Sequence, residues 1–197
     1  MSRCHRPESV ENLVSLCDQP GWTGERLVRD ILAGNIAEVR ARAESAGHDP
    51  NLASTVLRLA LFPILSHVSA IVEPWMSRVS WPHGTCPTCG SWPLMAEFRG
   101  LEQVRYLCCG LCSTSWEFPR LACPFCGERD HKALGFFHVD GEEAKYRVTT
   151  CDACQGYVKT VSTLAALRGP QLLVMDLTTL HLDLAAVERE TSRGVQS

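Results

Sequence analysis

The chain has 197 residues, 45% of them hydrophobic and 21% charged, with a formal net charge of −3 and eleven cysteines. This is the composition of a folded protein with one core or two small ones, and its acidity counts against a phosphate backbone as partner. Met1 to Gln19 has no apolar run, so a cytoplasmic, reducing setting is expected, without export or stable membrane insertion.

Residues 1–22 are weakly patterned, with a short helix expected over Ser9–Leu16 and with Cys4 and Cys17 read as isolated thiols. Thr23 can cap a helix beginning near Gly24, whose Val28, Ile31, Leu32, Ile36 and Val39 recur three or four apart until Gly47 ends it. Asp49-Pro50 restarts a helix, a cap followed by proline at the first position. Leu52, Val56, Leu57, Leu59, Ala60 and Leu61 make it apolar on more than one face, which places it at the centre of a helical layer. Pro63 is expected to kink or break it. Val56–Val72 is the most hydrophobic window, but Arg58, Pro63, Ser66, His67 and Ser69 interrupt it, so burial within protein is expected, His67 included. Glu73-Pro74 starts a last piece toward Val79, and Trp81 to Gly84 marks the boundary.

Four Cys-x2-Cys pairs follow: Cys86/Cys89, Cys109/Cys112, Cys123/Cys126 and Cys151/Cys154. Each pair offers two thiolates on one side of a tight turn, so two facing pairs make a tetrahedral four-sulfur cage suited to zinc or iron. Sequential pairing gives two cages and two metal ions per chain. In the first module, strands are expected over Pro93–Phe98 and Gln103–Leu107 around an Arg99-Gly100 turn. In the second they are expected over Ala133–Val139 and Ala144–Val148 around Asp140-Gly141. The opening motifs Cys86-Pro87-Thr88-Cys89-Gly90 and Cys123-Pro124-Phe125-Cys126-Gly127 repeat, their glycines supplying the positive φ of a turn around a metal. Neighbouring strand residues point to opposite sides, so Cys108 should pack as a small hydrophobe and not share an ion with Cys109. His83, His131 and His138 are not needed, since four thiolates complete each tetrahedron. After Cys154, a helical piece is expected over Ser162–Arg168 up to Gly169-Pro170. Asp176 then caps a helix bearing Leu177, Leu180, Leu184 and Val187 on one face, and Thr191–Ser197 should fray.

Taken together these motifs resemble the formate dehydrogenase accessory protein family. The resemblance rests on Trp81 with the Cys86–Pro93 motif, Arg105 and Leu107 before Cys109-x2-Cys112, Thr114-x-Trp116, Arg120, Cys123/Cys126, Cys151-Asp152-x-Cys154 with Tyr157 and Lys159, and the closing Asp176 to Leu184. It implies an α+β chain: an N-terminal helical domain (1–80), two rubredoxin-like or zinc-ribbon-like metal modules (81–119 and 120–160), and a C-terminal helical segment (161–197). It further implies a shortened member that is not an enzyme, a maturation factor binding the catalytic subunit of a molybdenum- or tungsten-dependent formate dehydrogenase. Its final helix departs from the family pattern at Val187-Glu188-Arg189-Glu190.

Arg105, Trp116, Arg120, Tyr157, Lys159, Asp176 and Asp183 match family positions without being needed for a cage. They can face the partner at the seam between the modules, or pair internally to hold ribbon to helix. Two other functions stand beside the maturation factor. A nucleic-acid-binding double zinc ribbon needs clustered cations, whereas Arg99, Arg105, Arg120, Arg129, Lys132, Lys145 and Arg147 interleave with acids. A dithiol oxidoreductase needs one pair free of metal.

Overall fold

A computed structural model describes residues 23–76, 78–189 and 191–193. The expected Ser9–Leu16 helix, Cys4 and Cys17 lie outside the described residues. The chain divides into two compact units, one running to Phe62 and the other starting at Pro63.

In the first unit the Thr23 hydroxyl accepts a 3.3 Å bond from the Arg26 N–H, capping α1 (Gly24–Leu32). The single helix expected up to Gly47 is instead two, because Gly34 takes φ +77°. The N–H groups of Gly34 and Asn35 bond back to the carbonyls of Ile31 and Asp30, a Schellman end that a glycine there permits. The chain restarts as α2 (Ile36–Ser45), and Gly47 ends α2 in the same way, at φ +79°. Arg42 pairs with Glu38 on its own helix and, at 3.2 Å, with Asp30 of α1. Leu27, Ala43 and Ala53 form the unit's small core, with Leu57 against it.

Asp49 opens α3 (Pro50–Met76), its Oδ1 accepting from the N–H groups of Asn51 and Leu52 at 2.8 and 3.0 Å. The break expected at Pro63 does not occur. Proline forfeits one backbone bond, and the flanking Leu59, Ala60 and Leu61 are strong enough helix formers to carry the ladder past it. The expected burial is corrected too: Leu59, Ile64, Ile71, Trp75 and His67 are exposed. Only 11% of the helix's most apolar window is buried, and the helix is long and apolar enough to cross a bilayer by length and composition.

The second unit is built on a seven-stranded sheet of order β3-β2-β1-β6-β5-β4, with β7 paired to β6. The strands are β1 (Pro93–Arg99), β2 (Val104–Cys109), β3 (Ser115–Glu117), β4 (Leu134–Phe137), β5 (Tyr146–Cys151), β6 (Gly156–Thr163) and β7 (Ser192–Arg193). Both expected hairpins form within a few residues of their predicted limits, with Gly100 and Gly141 at φ +65° and +86° in their turns. The expected Ser162–Arg168 helix does not form. Val158, Thr160, Val161 and Thr163 favour a strand, and β6 runs on to Thr163, parallel to β1 with Ala96 beside Thr160 and Arg99 beside Thr163. Strands from the two Cys-rich stretches therefore share one sheet. Ser192 and Arg193 pair with Gly156 and Tyr157 where fraying was expected.

The first six residues of β6 are buried, as a strand covered on both faces requires. Tyr157, Lys159 and Val161 point to the side covered by α4 (Pro170–Thr178) and α5 (Leu180–Val187). Leu172 of α4 packs with Met95, Cys108 and Val161; Leu182 and Ala186 of α5 pack with Phe137, Val148 and Tyr157. Asp176 is not a cap. It lies in the last turn of α4, and Thr179 precedes α5 without a side-chain capping bond.

Candidate functional site

Each Cys-Pro-x-Cys-Gly motif folds into the same turn. Gly90 donates to the Cys86 carbonyl at 2.9 Å and Gly127 to the Cys123 carbonyl at 3.0 Å, at φ +75° and +78°. The Cys86 and Cys123 N–H groups donate in turn to the Ser91 and Glu128 carbonyls, each at 2.8 Å. The returning pairs leave β2 and β5 through turns whose following residues, Ser113 and Gln155, also adopt positive φ.

These turns bring the cysteines together in two sets, Cys86, Cys89, Cys109 and Cys112, and Cys123, Cys126, Cys151 and Cys154, with the sulfurs of each set within 4.8 Å of one another. Cys86 and Cys112 are 3.5 Å apart, as are Cys89 and Cys109; Cys123–Cys154 and Cys126–Cys151 are 3.6 Å. Sulfurs about 2.3 Å from a central ion stand about 3.8 Å apart at tetrahedral angles, whereas a disulfide brings them to about 2.05 Å. The donor set and spacing thus fit a four-thiolate metal site in each case.

The surroundings differ. Cys86, Cys109 and Cys112 are buried and Cys89 half-buried, whereas Cys126 is exposed and Cys154 half-buried. Both sets have polar contacts to their sulfurs: in the first the Leu111 N–H lies 3.4 Å from Cys109 and the Thr114 hydroxyl 3.1 Å from Cys112, and in the second the backbone of Phe125, Glu128 and Gly156 meets Cys123, Cys126 and Cys154. Ser69 of α3 holds Thr114 at 2.6 Å. Ionisation is split within the first set, with Cys89 pulled well below its ordinary value by hydrogen bonds with Cys109 and Cys112. Cys109 is held well above by its bonds with Cys112, Cys86 and Cys89 and by burial. In the second set, burial pushes Cys154 up to about 11.

Cys108 belongs to neither set and packs in the core with Met95, Val161 and Leu172. Its thiol lies 3.5 Å from Glu97, a fully buried carboxylate that also pairs with Arg99 and accepts the Leu167 N–H at 2.9 Å. Burial, then the Glu97 charge, holds the Cys108 thiol well above its usual value. The sequence reading missed this network; an acid set among apolar residues two positions before Arg99 in the strand was its signal.

Of the seven residues matched for docking, only Arg120 is exposed. Arg105 is buried with its Nη1 donating to the carbonyls of Pro119, Arg120 and Ala122, and burial pulls its guanidinium down to about 10. Trp116 is buried and donates to the His83 carbonyl at 3.0 Å. Lys159, 1% exposed, reaches Asp176 Oδ1 at 2.7 Å and Asp183 Oδ2 at 2.8 Å, and the Tyr157 hydroxyl donates to Asp183 Oδ1 at 2.8 Å. Lys159 and Tyr157 thereby tie β6 to both C-terminal helices.

A family model described as FdhE, central domain, matches residues 85–120, the stretch that carries the first sulfur set. An FdhE homologue of Pseudomonas aeruginosa is 39% identical over 109 residues, covering 52% of this chain and 35% of the relative. The chain is a homologue of the FdhE proteins. Escherichia coli FdhE is 36% identical over 109 residues, covering 53% of this chain and 33% of its own, and the Stutzerimonas stutzeri FdhE homologue is 35% identical over 111 residues, covering 55% and 35%. The aligned part thus spans about a third of the length of these FdhE relatives. The crystal structure of FdhE from Pseudomonas aeruginosa matches with a TM-score of 0.59 at 24% identity, covering 98% of this chain and 79% of that one, so the fold is shared.

Proposed function

We propose that the chain is a non-enzymatic maturation factor that acts in the cytoplasm on the catalytic subunit of a molybdenum- or tungsten-dependent formate dehydrogenase. The observation that carries this reading is the FdhE match over residues 85–120, centred on a four-sulfur set that the second half of the sheet repeats. In this reading each set is a rubredoxin-like or zinc-ribbon-like module, and its four cysteines hold one iron or zinc ion. Four thiolates leave no open coordination position, which suits bracing better than Lewis-acid catalysis. Bound iron would add a one-electron change in site charge; zinc would not.

Docking is proposed at the seam of the modules and the C-terminal segment. Arg120 is the accessible member of the matched set. Leu177 of α4 and Leu180, Leu184 and Val187 of α5 are exposed and supply apolar surface for the same partner, while Lys159, Tyr157, Asp176 and Asp183 hold the two helices that bear them. The test is capture of the catalytic subunit by the tagged, metal-loaded chain, together with formate dehydrogenase activity in a strain lacking it. Loss of activity and a recoverable complex are expected, with capture weakened at least about tenfold in Arg120→Ala or Leu184→Asp. Full activity with no complex would overturn the reading.

A further inference from the structure

Tyr157, Lys159 and Val161 of β6 meet the C-terminal helices, so the alternate residues point to the other side of the sheet. There the register sets Phe98 opposite Arg105, Phe136 and Val158 opposite Thr149, and Arg147 opposite Thr160. With the loop that carries Arg120 and Pro124, this side borders a half-open cavity of about 170 Å³. That is room for about six waters at roughly 30 Å³ each, a small molecule and not a helix.

Three guanidiniums line the cavity and no carboxylate does. The Arg120 and Arg147 guanidinium carbons lie 4.7 and 4.8 Å from the centre of the same Phe98 ring, and that of Arg147 also 5.5 Å from Phe136. Neither has an ion-pair partner among the described residues. Burial first, and then the nearby Arg120 charge, pull Arg147 below its ordinary value. The third, Arg105, is 3% exposed, and its Nε has no hydrogen-bond partner among the described residues although its Nη1 is engaged. Native proteins rarely leave a buried donor unmatched. Cys123 and Cys151 form part of the wall. Arg120 and Arg147 stand over aromatic rings with no acid beside them in the lining.

We propose that this cavity binds a phosphate monoester with a small flat apolar body, its oxygens taken by Arg120, Arg147 and Arg105 Nε and its body lying among Phe98, Phe125 and Phe136. Guanidinium forks match phosphate oxygens, a dianion answers the two unpaired cations, and the rings offer faces to a planar group. The site is read in the purified chain without any protein partner, so it stands or falls apart from the maturation role.

Calorimetric titration of the metal-loaded full chain with phenyl phosphate is expected to give a Kd of about 1 mM or tighter, at least about tenfold tighter than inorganic phosphate. Arg147→Ala should weaken it at least about tenfold, with partial recovery in Arg147→Lys and unchanged metal content. Should Arg147→Ala lose metal, Arg120→Ala, at an exposed side chain, repeats the test. No binding of phenyl phosphate, equal affinity for inorganic phosphate, tighter binding of benzoate, or an unaltered Kd in the arginine variant that keeps its metal would each overturn the proposal.

Discussion

Gly84 lies so close to Pro124 that a β-carbon built on it would sit 1.7 Å from the Pro124 carbonyl oxygen. One of these residues precedes the first sulfur set and the other stands between Cys123 and Cys126 of the second, so the two candidate centres are joined by direct backbone contact. No rotamer change can relieve the clash. Gly84→Ala should therefore force the two segments apart and destabilise the second unit by about 1–3 kcal/mol. Thermal and denaturant unfolding of the metal-loaded chain check this; a melting curve matching the parent would show that the contact yields freely.

Gly90 and Gly127 present the opposite situation, with nothing within 4 Å of an added β-carbon but with φ of +75° and +78°. Substitution there meets only backbone strain. Gly90→Ala and Gly127→Ala should each cost about 1–2 kcal/mol, measured by denaturant unfolding, and the two costs should agree because the turns are alike. A large difference between them would mean that the two turns are not equivalent.

Lys159 is an ammonium without solvent, held by two carboxylates that are themselves mostly covered. Truncation leaves both acids facing a buried void, so Lys159→Ala should lose about 3–5 kcal/mol of stability and loosen α4 and α5. Hydrogen exchange over residues 170–187 gives the local readout. Unchanged protection there would mean the apolar contacts of Leu172 and Leu182 suffice to seat the helices.

The unequal burial of the two sulfur sets predicts an order of metal loss. Cys126 is exposed, while the first set has no exposed member. A competing chelator should remove metal in two phases, the faster from the Cys123 set. Cys126→Ser should abolish the fast phase and halve the metal content from two equivalents to about one. A single phase, or a fast phase lost in Cys89→Ser instead, would contradict the assignment.

The cysteine sets, their turns and both hairpins were legible because each depends on spacing or on one glycine's φ, which are local properties. Strand β6 was hidden by Lys159, a charge at the centre of the most buried strand, whose partners arrive from α4 and α5 some distance later in the chain. The apolar recurrence from Val28 to Val39 ran through Gly34 unbroken, although that residue's backbone ends the helix. Pro63 misled in the other direction, since one missing donor does not stop a helix rich in leucine and alanine. The arginine cluster was invisible for a different reason: Arg105, Arg120 and Arg147 alternate with acids along the sequence, and only the pairing of the strands separates the two signs.

The parallel pairing of β1 with β6 also sets an order in time. During synthesis β1 and every cysteine of the first set are complete well before Thr160 to Thr163 leave the ribosome. At roughly 5–20 residues per second that delay is a matter of seconds. Throughout it, the inner edge of β1 has backbone donors and acceptors without their final neighbour, a template for pairing with the wrong strand. Cys151 and Cys154 immediately precede the strand that closes this edge. A nascent chain thus protects this edge of β1 only after the last cysteine of its second sulfur set has been made.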